Sequence, residues 1–176
     1  MDRRRVVFLD RDGVLNEKAS EGDYVKNWKE FRFLQDVPEA LTTLKRLGFL
    51  LVVVTNQRCV ARGIVSEKAL DDIHRLMAEE LRTCGAGLDA VYYCPHDASD
   101  RCDCRKPKPG MINMAIDDFR KKGMELDIEN SYMIGDTEQD IVLGKTVGLK
   151  TVKVGSHSVN SDMTTSSLLA FSRSLK

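Results

Sequence analysis

The chain has 176 residues, with 27 Lys or Arg and 27 Asp or Glu, so its formal net charge is zero. This length suffices for one domain with a sizeable core, and the charge balance argues against a nucleic-acid or anionic membrane partner. Its apolar runs are too short for a signal peptide or a membrane span. We therefore expect a cytoplasmic protein, whose five cysteines indicate metal binding or catalysis rather than disulfides.

Apolar segments alternate with helix-like segments along the chain. The apolar segments are dense in Val, Ile, Leu or Tyr without strict alternation, which is typical of strands buried on both faces. They lie at residues 6–10, 49–55, 90–94, 131–136 and 149–154. Strands that alternate with helices predict an α/β fold, a doubly wound, Rossmann-like parallel sheet with helices on both faces.

Four helices are predicted between these strands. Asp36 begins the first, with Glu39 three residues later as a candidate capping box, and Ser66 is the candidate N-cap of the second. The third is predicted between Gly110 and Gly123, and the fourth at about 138–146. These helices have the lengths that strand-to-strand crossovers of a parallel sheet require.

The C-terminal segment from Ser156 is rich in Ser and Thr. We expect a flexible connection to a short C-terminal helix. The whole chain, 1–176, is predicted to be a single domain, with its core at about 6–154 and a tail at 157–176.

Polar residues follow three of the predicted strands. The first strand ends in Asp10-Arg11-Asp12-Gly13, the second in Thr55-Asn56 and the fourth in Gly135-Asp136, with Asp140 one helical turn further. The carboxyl ends of parallel strands share one edge of the sheet, and clustered carboxylates repel one another unless a cation or proton separates them. Hard oxygen ligands that leave room for phosphate suit Mg²⁺. Any one of these acids alone could be a turn former, and Asp136 could cap the fourth helix.

These segments resemble the four motifs of the haloacid dehalogenase superfamily of phosphatases. The matches are DRDG at 10–13, TN at 55–56, RKP at 105–107 and GDTEQD at 135–140. Each motif is weak alone, but their order and their positions at strand ends make the set specific. The resemblance covers about residues 6–154.

The resemblance implies a two-step phosphatase mechanism with one Mg²⁺ ion. Asp10 is expected to attack phosphorus and become an aspartyl-phosphate, and Asp12 to act as general acid and then as general base. Mg²⁺ is expected on the Asp10 carboxylate, the Asp12 backbone carbonyl and Asp136. Thr55 is expected to hydrogen-bond the phosphoryl oxygens, and Lys106 to supply a fixed positive charge.

The sequence contains no large insertion between these motifs, so we expect a phosphatase without a cap domain. Substrate selectivity then depends on the loops at 16–28, 57–63 and 94–110. The candidate substrate-binding residues are Asn16, Asn56, Arg62, Arg105 and Lys106. Asp140 is expected to orient its neighbours or metal-bound water rather than bind Mg²⁺. His74 has no catalytic partner nearby in sequence, and we expect it to be structural or exposed.

Three cysteines and a histidine lie close together in the loop after the third strand. They are Cys94, His96, Cys102 and Cys104. Four soft or borderline ligands match a closed, tetrahedral, structural Zn²⁺ site. Zinc would fix the irregular loop that carries Arg105 and Lys106. A chance cluster of thiols and a reactive cysteine are the alternatives.

The cysteine loop resembles that of the D-glycero-D-manno-heptose 1,7-bisphosphate 7-phosphatases and of the related histidinol-phosphate phosphatases. DRDGVLN at 10–16, VVVTNQ and ARG within 52–63, and PGM at 109–111 favour the heptose enzymes. These remove the C7 phosphate, a step towards nucleotide-activated heptose for surface polysaccharide such as lipopolysaccharide. That family usually has Ser-Gly where this chain has Arg58-Cys59, and a positive φ at Cys59 would cost about 1 kcal/mol.

The expected partner is therefore a small sugar phosphate, and we expect a monomer that binds neither nucleic acid nor membrane. Histidinol-phosphate hydrolysis is the alternative within the same class. A catalytically silent, zinc-stabilised binding module and a phosphatase for nucleic-acid ends are the alternatives from other classes. The intact set of Asp10, Asp12, Lys106 and Asp136 argues against a silent module.

Overall fold

The computed structural model describes residues 2–175; Met1 and Lys176, the two ends of the expected domain, lie outside the described residues. The strands are β1 (Asp2–Arg4), β2 (Val6–Leu9), β3 (Leu50–Asn56), β4 (Ala90–Cys94), β5 (Met124–Leu126), β6 (Tyr132–Gly135), β7 (Lys150–Val154) and β8 (Met163–Thr165). Six of them form one sheet in the order β4-β3-β2-β6-β7-β8, and β1 and β5 form a separate pair. All neighbouring strands are parallel, so the predicted fold class is confirmed.

The helices lie between the strands as the sequence pattern predicts. They are α1 (Val37–Arg46), α2 (Glu67–Thr83), α3 (Gly110–Lys121), α4 (Glu138–Val147) and α5 (Leu168–Ser174), with short 3-10 helices at Ala98–Asp100 and Ile128–Asn130. No helix within residues 2–175 combines the length and the apolar character that a membrane span requires.

The side chains of the central strands alternate between the two faces of the sheet. In β2, Val7 and Leu9 pack with residues of α1, α2 and α5, whereas Val6 and Phe8 pack with residues of α3 and α4. All four side chains are completely buried. Burial on both faces explains why the strands are apolar without alternation.

The order of the strands changes direction at β2, which is a topological switch point. Leu9 of β2 is in register with Val53 of β3 and with Ile134 of β6. The residues that follow these three strands therefore emerge side by side. Asn56 at the end of β3 is in register with Cys94 at the end of β4, so the cysteine loop begins at the same edge.

Three short strands are present that the sequence analysis does not predict. β1, β5 and β8 have three residues each, which is too short for a periodic signal. β8 pairs with β7 within the tail that was expected to be a flexible connection, so that expectation is wrong there. The expected C-terminal helix is confirmed as α5.

The predicted capping box at the start of α1 is wrong, whereas the predicted N-cap of α2 is confirmed. Asp36 precedes α1 with φ 64° and no side-chain hydrogen bond to the helix, because the left-handed conformation differs from the extended one that capping requires. Glu39 instead pairs with Arg173 of α5 at 2.8 Å. Ser66 accepts a hydrogen bond from the Ala69 N–H at 3.1 Å.

Replacing Ser66 with Ala is expected to lower the free energy of unfolding by about 1 kcal/mol, because the Ala69 N–H loses its acceptor. Asp36→Gly is the matched control: no side-chain cap is lost, and Gly adopts positive φ without strain. Urea unfolding curves of both variants provide the measurement. A loss for Asp36→Gly as large as that for Ser66→Ala would contradict this account of the two helix starts.

Candidate active site

Acidic side chains converge at the carboxyl edge of the sheet. One carboxylate oxygen from each of Asp10, Asp136 and Asp140 lies within 4.8 Å of the others. Asp10 directly follows β2, Asp136 directly follows β6, and Asp140 is in the first turn of α4. A cavity of about 180 Å³ opens beside them; its lining includes Asp10, Asp12, Thr55, Arg105, Lys106 and Asp136. We call it the acidic cavity.

Lys106 is a buried cation between two of these carboxylates. Its Nζ lies 2.9 Å from Asp10 Oδ1 and 2.7 Å from Asp140 Oδ1, and it donates to the Val54 carbonyl at 3.0 Å. Burial opposes the charge of the ammonium, but the two carboxylates outweigh burial and raise the pKa of Lys106. The side chain, only 3% exposed, therefore remains protonated.

Asp10 is the most strongly perturbed carboxyl group at this edge. Burial raises its pKa well above the usual value, and the charge of Lys106 offsets only part of that rise. Oδ1 accepts hydrogen bonds from Lys106 and from the Arg11 N–H, the latter at 2.7 Å. Oδ1 is thus held by two donors, and Oδ2 is left for other chemistry.

Asp136 carries an unsatisfied oxygen. Its Oδ2 pairs with Lys18, whereas its Oδ1 is buried and has no hydrogen-bond partner among residues 2–175. An unpaired buried carboxylate oxygen is unfavourable, so this atom fits a cation bound between Asp136 and Asp10. Asp136 does not cap α4, because Thr137 is the N-cap; that alternative is wrong.

Asp140 uses both of its oxygens within the protein. Oδ1 contacts Lys106, and Oδ2 accepts from the Thr137 N–H at 3.1 Å and from Thr137 Oγ1 at 2.6 Å. The side chain is completely buried. A carboxylate with both oxygens engaged in this way orients Lys106 and the start of α4 rather than a metal ion.

Gly13 allows the loop after β2 to pass close to Asp136. Its φ is 87°, in the left-handed region, and a Cβ there would overlap Asp136 Oδ2 and lie 2.6 Å from Lys18 Cε. A side chain at this position would displace the carboxylate. The tight turn thus brings Asp12 and Asp136 to the same cavity.

Asp12 is held by three hydrogen bonds. Oδ1 accepts from Arg11 at 3.0 Å and from Asn16 at 2.9 Å, and Oδ2 accepts from Gln57 at 2.8 Å. Burial favours the neutral acid, but the Arg11 charge and the three donors outweigh it and lower the pKa of Asp12. Asp12 is therefore a carboxylate when nothing else is bound.

The structure brings some of the candidate substrate-binding residues to the acidic cavity. Thr55, Asn56, Arg105 and Lys106 line it. Thr55 Oγ1 accepts from Gln57 at 2.8 Å, which leaves its hydroxyl hydrogen free to donate. Asn56 binds the Lys106 backbone, accepting from its N–H at 3.0 Å and donating to its carbonyl at 3.2 Å. Asn56 thus fixes the position of Lys106.

Two other candidates do not reach the acidic cavity. Asn16 is completely buried and donates to Asp12, so it positions an acid rather than contacting a ligand. Arg62 is exposed and pairs with Asp97 at 2.7 Å. The loop that carries Arg62 points it towards the cysteine loop.

Four residues beside the acids were not predicted as part of a site. They are Arg11, Lys18, Gln57 and His74. Arg11 lies inside the DRDG motif and Gln57 directly follows Thr55-Asn56, so a closer consideration of the motif positions could have found them. Nothing in the sequence marks Lys18, and His74 comes from α2, 63 residues from the arginine that it contacts.

The cysteine loop forms a compact group of four ligand atoms. Cys94, His96, Cys102 and Cys104 each place one such atom within 4.8 Å of the others. The separations run from 2.9 Å between the Cys104 and Cys94 sulfurs to 3.7 Å between Cys94 Sγ and His96 Nδ1. All five cysteines are free. Ligands of one tetrahedral Zn²⁺ ion lie about 3.5 Å apart, given bonds of about 2.0–2.3 Å. The donor set fits zinc, and the separations other than that between Cys94 and Cys104 are close to this value.

The cysteine loop carries the cations Arg105 and Lys106, which line the acidic cavity. Arg105 donates to the His96 carbonyl at 3.2 Å, and Lys108 donates to the Cys102 carbonyl at 2.7 Å. Lys106 lies between these two residues and enters the core. Any ion that orders the four ligands therefore also orders the segment that carries Lys106.

A second cavity of about 390 Å³ adjoins the first, and its lining includes Asp12, Lys18, Tyr24, Gln57 and Arg58. We call it the outer cavity. Arg58 donates to Tyr24 Oη at 2.8 Å. Within residues 2–175 the non-glycine residues with positive φ are Asp36 and Arg101, so Cys59 is not strained. The departure at Arg58-Cys59 therefore changes the lining of the outer cavity without distorting the loop.

Comparisons with known proteins show what the whole chain is similar to. The family model described as polynucleotide kinase 3 phosphatase matches residues 5–168. A D-glycero-beta-D-manno-heptose-1,7-bisphosphate 7-phosphatase from Pasteurella multocida (strain Pm70) is 40% identical over 161 residues, which cover 86% of this chain and 83% of that protein. A D-glycero-D-manno-heptose-1,7-bisphosphate 7-phosphatase from Chlorobaculum tepidum is 38% identical over 161 residues, 88% of this chain and 80% of that protein.

Solved structures give the same result. The D,D-heptose 1,7-bisphosphate phosphatase from B. bronchiseptica, complexed with magnesium and phosphate, has a TM-score of 0.83 at 28% identity and covers 97% of both chains. A haloacid dehalogenase-like phosphatase from Mesorhizobium loti has a TM-score of 0.81 at 29% identity, covering 99% of this chain and 88% of that one. The chain belongs to the family of haloacid dehalogenase-type phosphatases that contains the D-glycero-D-manno-heptose 1,7-bisphosphate 7-phosphatases.

Proposed function

We propose that this phosphatase removes the C7 phosphate of D-glycero-D-manno-heptose 1,7-bisphosphate, with Mg²⁺, through an aspartyl-phosphate on Asp10. One observation carries the proposal: buried Asp10 contacts Lys106 at 2.9 Å and lies within 4.8 Å of Asp136, whose second oxygen has no partner among the described residues. The names of the relatives support the substrate. The magnesium and phosphate of the B. bronchiseptica structure support the metal.

The residues that would hold Mg²⁺ are Asp10 and Asp136 through their carboxylates and Asp12 through its backbone carbonyl. When bound there, Mg²⁺ would neutralise the carboxylates and polarise a phosphoryl oxygen. Lys106 neutralises one charge of the acid cluster, and Lys18 pairs with the outer oxygen of Asp136. The remaining negative charge suits a divalent cation.

In the first step Asp10 attacks phosphorus, and the bond to the sugar oxygen breaks. Lys106 and Thr55 stabilise the negative charge on the phosphoryl group. Asp12 gives a proton to the departing alkoxide. The resting Asp12 is ionised, but a bound phosphate places negative charge beside it and raises its pKa towards the acid form.

In the second step water attacks the aspartyl-phosphate, the Asp10–phosphate bond breaks, and the proton of the water goes to Asp12. Asp12 is suited to this role because it has returned to a carboxylate. Its three hydrogen bonds keep both oxygens oriented. The same residue thus serves both steps from one position.

The rest of the substrate needs binding groups outside the acidic cavity. The outer cavity, about 390 Å³, is within the size range of small-molecule sites and provides Lys18, Tyr24 and Arg58. A third cavity of about 220 Å³ lies beside the cysteine loop, where Arg105 and Lys108 contribute to its lining. Arg105 lines both this cavity and the acidic one, so it is our preferred contact to a second phosphate.

The cysteine loop is proposed to hold a structural Zn²⁺ ion on Cys94, His96, Cys102 and Cys104. All four positions of a tetrahedral ion are then filled by protein, which leaves none for catalysis. The function of the ion would be to hold the loop that places Arg105 and Lys106. Mg²⁺ and Zn²⁺ would thus serve different parts of one site.

Replacing Asp10 with Asn is expected to lower kcat by at least roughly a thousandfold, because an amide is a poor nucleophile towards phosphorus. Phosphate release from the heptose bisphosphate with saturating Mg²⁺ is the measurement. Asp117→Asn, an exposed acid on α3, is the control and should retain full activity. Normal turnover by the Asp10→Asn enzyme would exclude the covalent mechanism.

A substrate panel separates the proposed substrate from its alternatives. We expect kcat/KM for D-glycero-D-manno-heptose 1,7-bisphosphate to exceed that for histidinol phosphate by roughly a hundredfold, since missing or unmatched polar contacts commonly cost that much. A 3′-phosphorylated oligonucleotide belongs in the panel because of the description of the matching family model. A preference for either competitor would overturn the substrate assignment but would still agree with a phosphatase activity.

Removal of zinc is expected to lower the melting temperature by more than about 5 °C and to reduce activity even with Mg²⁺ present. The measurements are metal analysis, a thermal melt and phosphate release on the same chelated sample. Cys104→Ser, which removes one proposed zinc ligand, should have the same effect as chelation. Cys84→Ser, a change at an exposed cysteine away from the loop, is its control. A metal-free sample that melts and turns over normally would refute a structural zinc.

A further inference from the structure

Arg11 is buried although its side chain is always charged. It is only 1% exposed. One guanidinium nitrogen donates to Asp12 Oδ1 at 3.0 Å, and the other lies 3.0 Å from His74 Nε2. Arg11 Nε has no hydrogen-bond partner within residues 2–175. A buried charge is costly unless it is well paired, so these two contacts determine where the guanidinium lies.

His74 reaches this arginine from α2. It is 6% exposed, and its ring packs beside Tyr93 with centroids 5.4 Å apart. An arginine can only donate, so His74 Nε2 must accept, which requires a neutral imidazole with its proton on Nδ1. Burial, aided by the Arg11 charge, lowers the pKa of His74 to about 3. The acceptor therefore persists at neutral pH.

We propose that His74 is a positioning residue for Asp12: it fixes the Arg11 guanidinium, which in turn holds Asp12 Oδ1 where it exchanges protons with the substrate and water. This inference rests on the proposed phosphatase function. The guanidinium is a rigid plane, so a turn at the nitrogen facing His74 moves the nitrogen facing Asp12. Without the imidazole, Arg11 gains a rotational freedom that the structure now denies it.

The position of Asp12 matters differently in the two steps. With an alkyl phosphate, the first step needs a proton from Asp12 for the departing alkoxide. With p-nitrophenyl phosphate, the departing phenolate is stable without that proton, so the first step no longer depends on Asp12. The second step, in which water adds to phosphorus and gives its proton to Asp12, is the same for both substrates. A poorly placed Asp12 therefore slows the second step selectively when the leaving group is a phenolate.

The experiment compares His74→Phe with His74→Gln. Phe removes the acceptor, whereas Gln can place its amide oxygen near the position of Nε2. With the heptose bisphosphate, where both steps need Asp12, we expect His74→Phe to lower kcat by roughly ten- to a hundredfold with little change in KM, a fraction of the whole contribution of a general acid or base. His74→Gln should recover most of this loss. Tyr93→Phe is the control and should leave kcat unchanged, because it keeps the ring beside His74 and removes only the hydroxyl that donates to Asp71.

Rapid-mixing kinetics with p-nitrophenyl phosphate distinguish positioning from loss of structure. If Asp12 is misplaced in an otherwise intact site, His74→Phe releases close to one equivalent of nitrophenolate per enzyme in a fast burst and then turns over slowly. If the site has merely become disordered, the burst amplitude falls with kcat. A wild-type kcat, a diminished burst or a failure of Gln to restore activity would each overturn the proposal.

Two further comparisons of variants keep the result interpretable. If His74→Phe does not fold, His74→Gln and His74→Asn are compared, because Asn places its amide near Nδ1 and should not restore the contact; equal activities would overturn the inference. Asp10→Asn and Asp12→Asn test the underlying function. If those two remain active, the proposed mechanism fails. If they are inactive and the His74 variants are normal, only the positioning role fails.

Discussion

The contact of the Lys106 ammonium with Asp10 and Asp140 is the interaction on which the rest of the site depends. The parallel sheet delivers three carboxylates to one edge, and nothing in the sheet itself offsets their repulsion. Lys106 offsets part of it, at 2.9 and 2.7 Å from the two oxygens, and burial weakens the screening of these charges by solvent. A buried carboxylate oxygen, Oδ1 of Asp136, remains without a hydrogen-bond partner among residues 2–175. The protein therefore stabilises this cluster incompletely, which supports the proposal that a divalent cation and an anionic phosphoryl group complete it.

The position of Lys106 is in turn fixed from two sides. Asn56, at the end of β3, binds both backbone polar groups of Lys106. On the other side, the cysteine loop starts at the end of β4, which is in register with β3, and its ligand cluster closes immediately before Arg105. An irregular loop would lose much entropy on being held still, and a four-ligand metal site is a compact way to hold one. Under the proposal, zinc on the four soft ligands would order the segment that carries Lys106. The Lys106 ammonium in turn offsets part of the repulsion among the carboxylates.

Much of this arrangement follows from the sequence, because it depends on strand ends. Asp10, Thr55 and Asp136 each come directly after an apolar run, and the rule that ligands gather at the carboxyl ends of parallel strands brings them together. The sequence could not show contacts between distant segments that carry no periodic signal. His74 meets Arg11 across 63 positions, and three-residue strands such as β8 depend on a partner edge already being formed. Asp36 has the residue type of an N-cap, but its φ of 64° depends on how the preceding loop enters α1. Arg62 was expected near the substrate, and a half-buried carboxylate, Asp97, pairs with it instead.

The Arg58-Cys59 pair is the point at which this chain departs from the usual Ser-Gly of the family. Cys59 is completely buried and packs with Val65 and Leu70 in a small cluster of its own, so its side chain fills space that a glycine would leave empty. Burial raises the pKa of the Cys59 thiol, which disfavours the thiolate that a nucleophilic cysteine requires. Arg58 extends to Tyr24 at the wall of the outer cavity. Neither residue hydrogen-bonds to Asp10, Lys106 or Asp136 within residues 2–175, but Cys59 Sγ contacts Gln57 Oε1 at 3.7 Å. Because Gln57 donates to Asp12 and Thr55, Cys59 supports the residue that orients both. What the substitution changes is the charge and shape of the surface that meets the body of the substrate, which is the part of the site where capless phosphatases must obtain their selectivity.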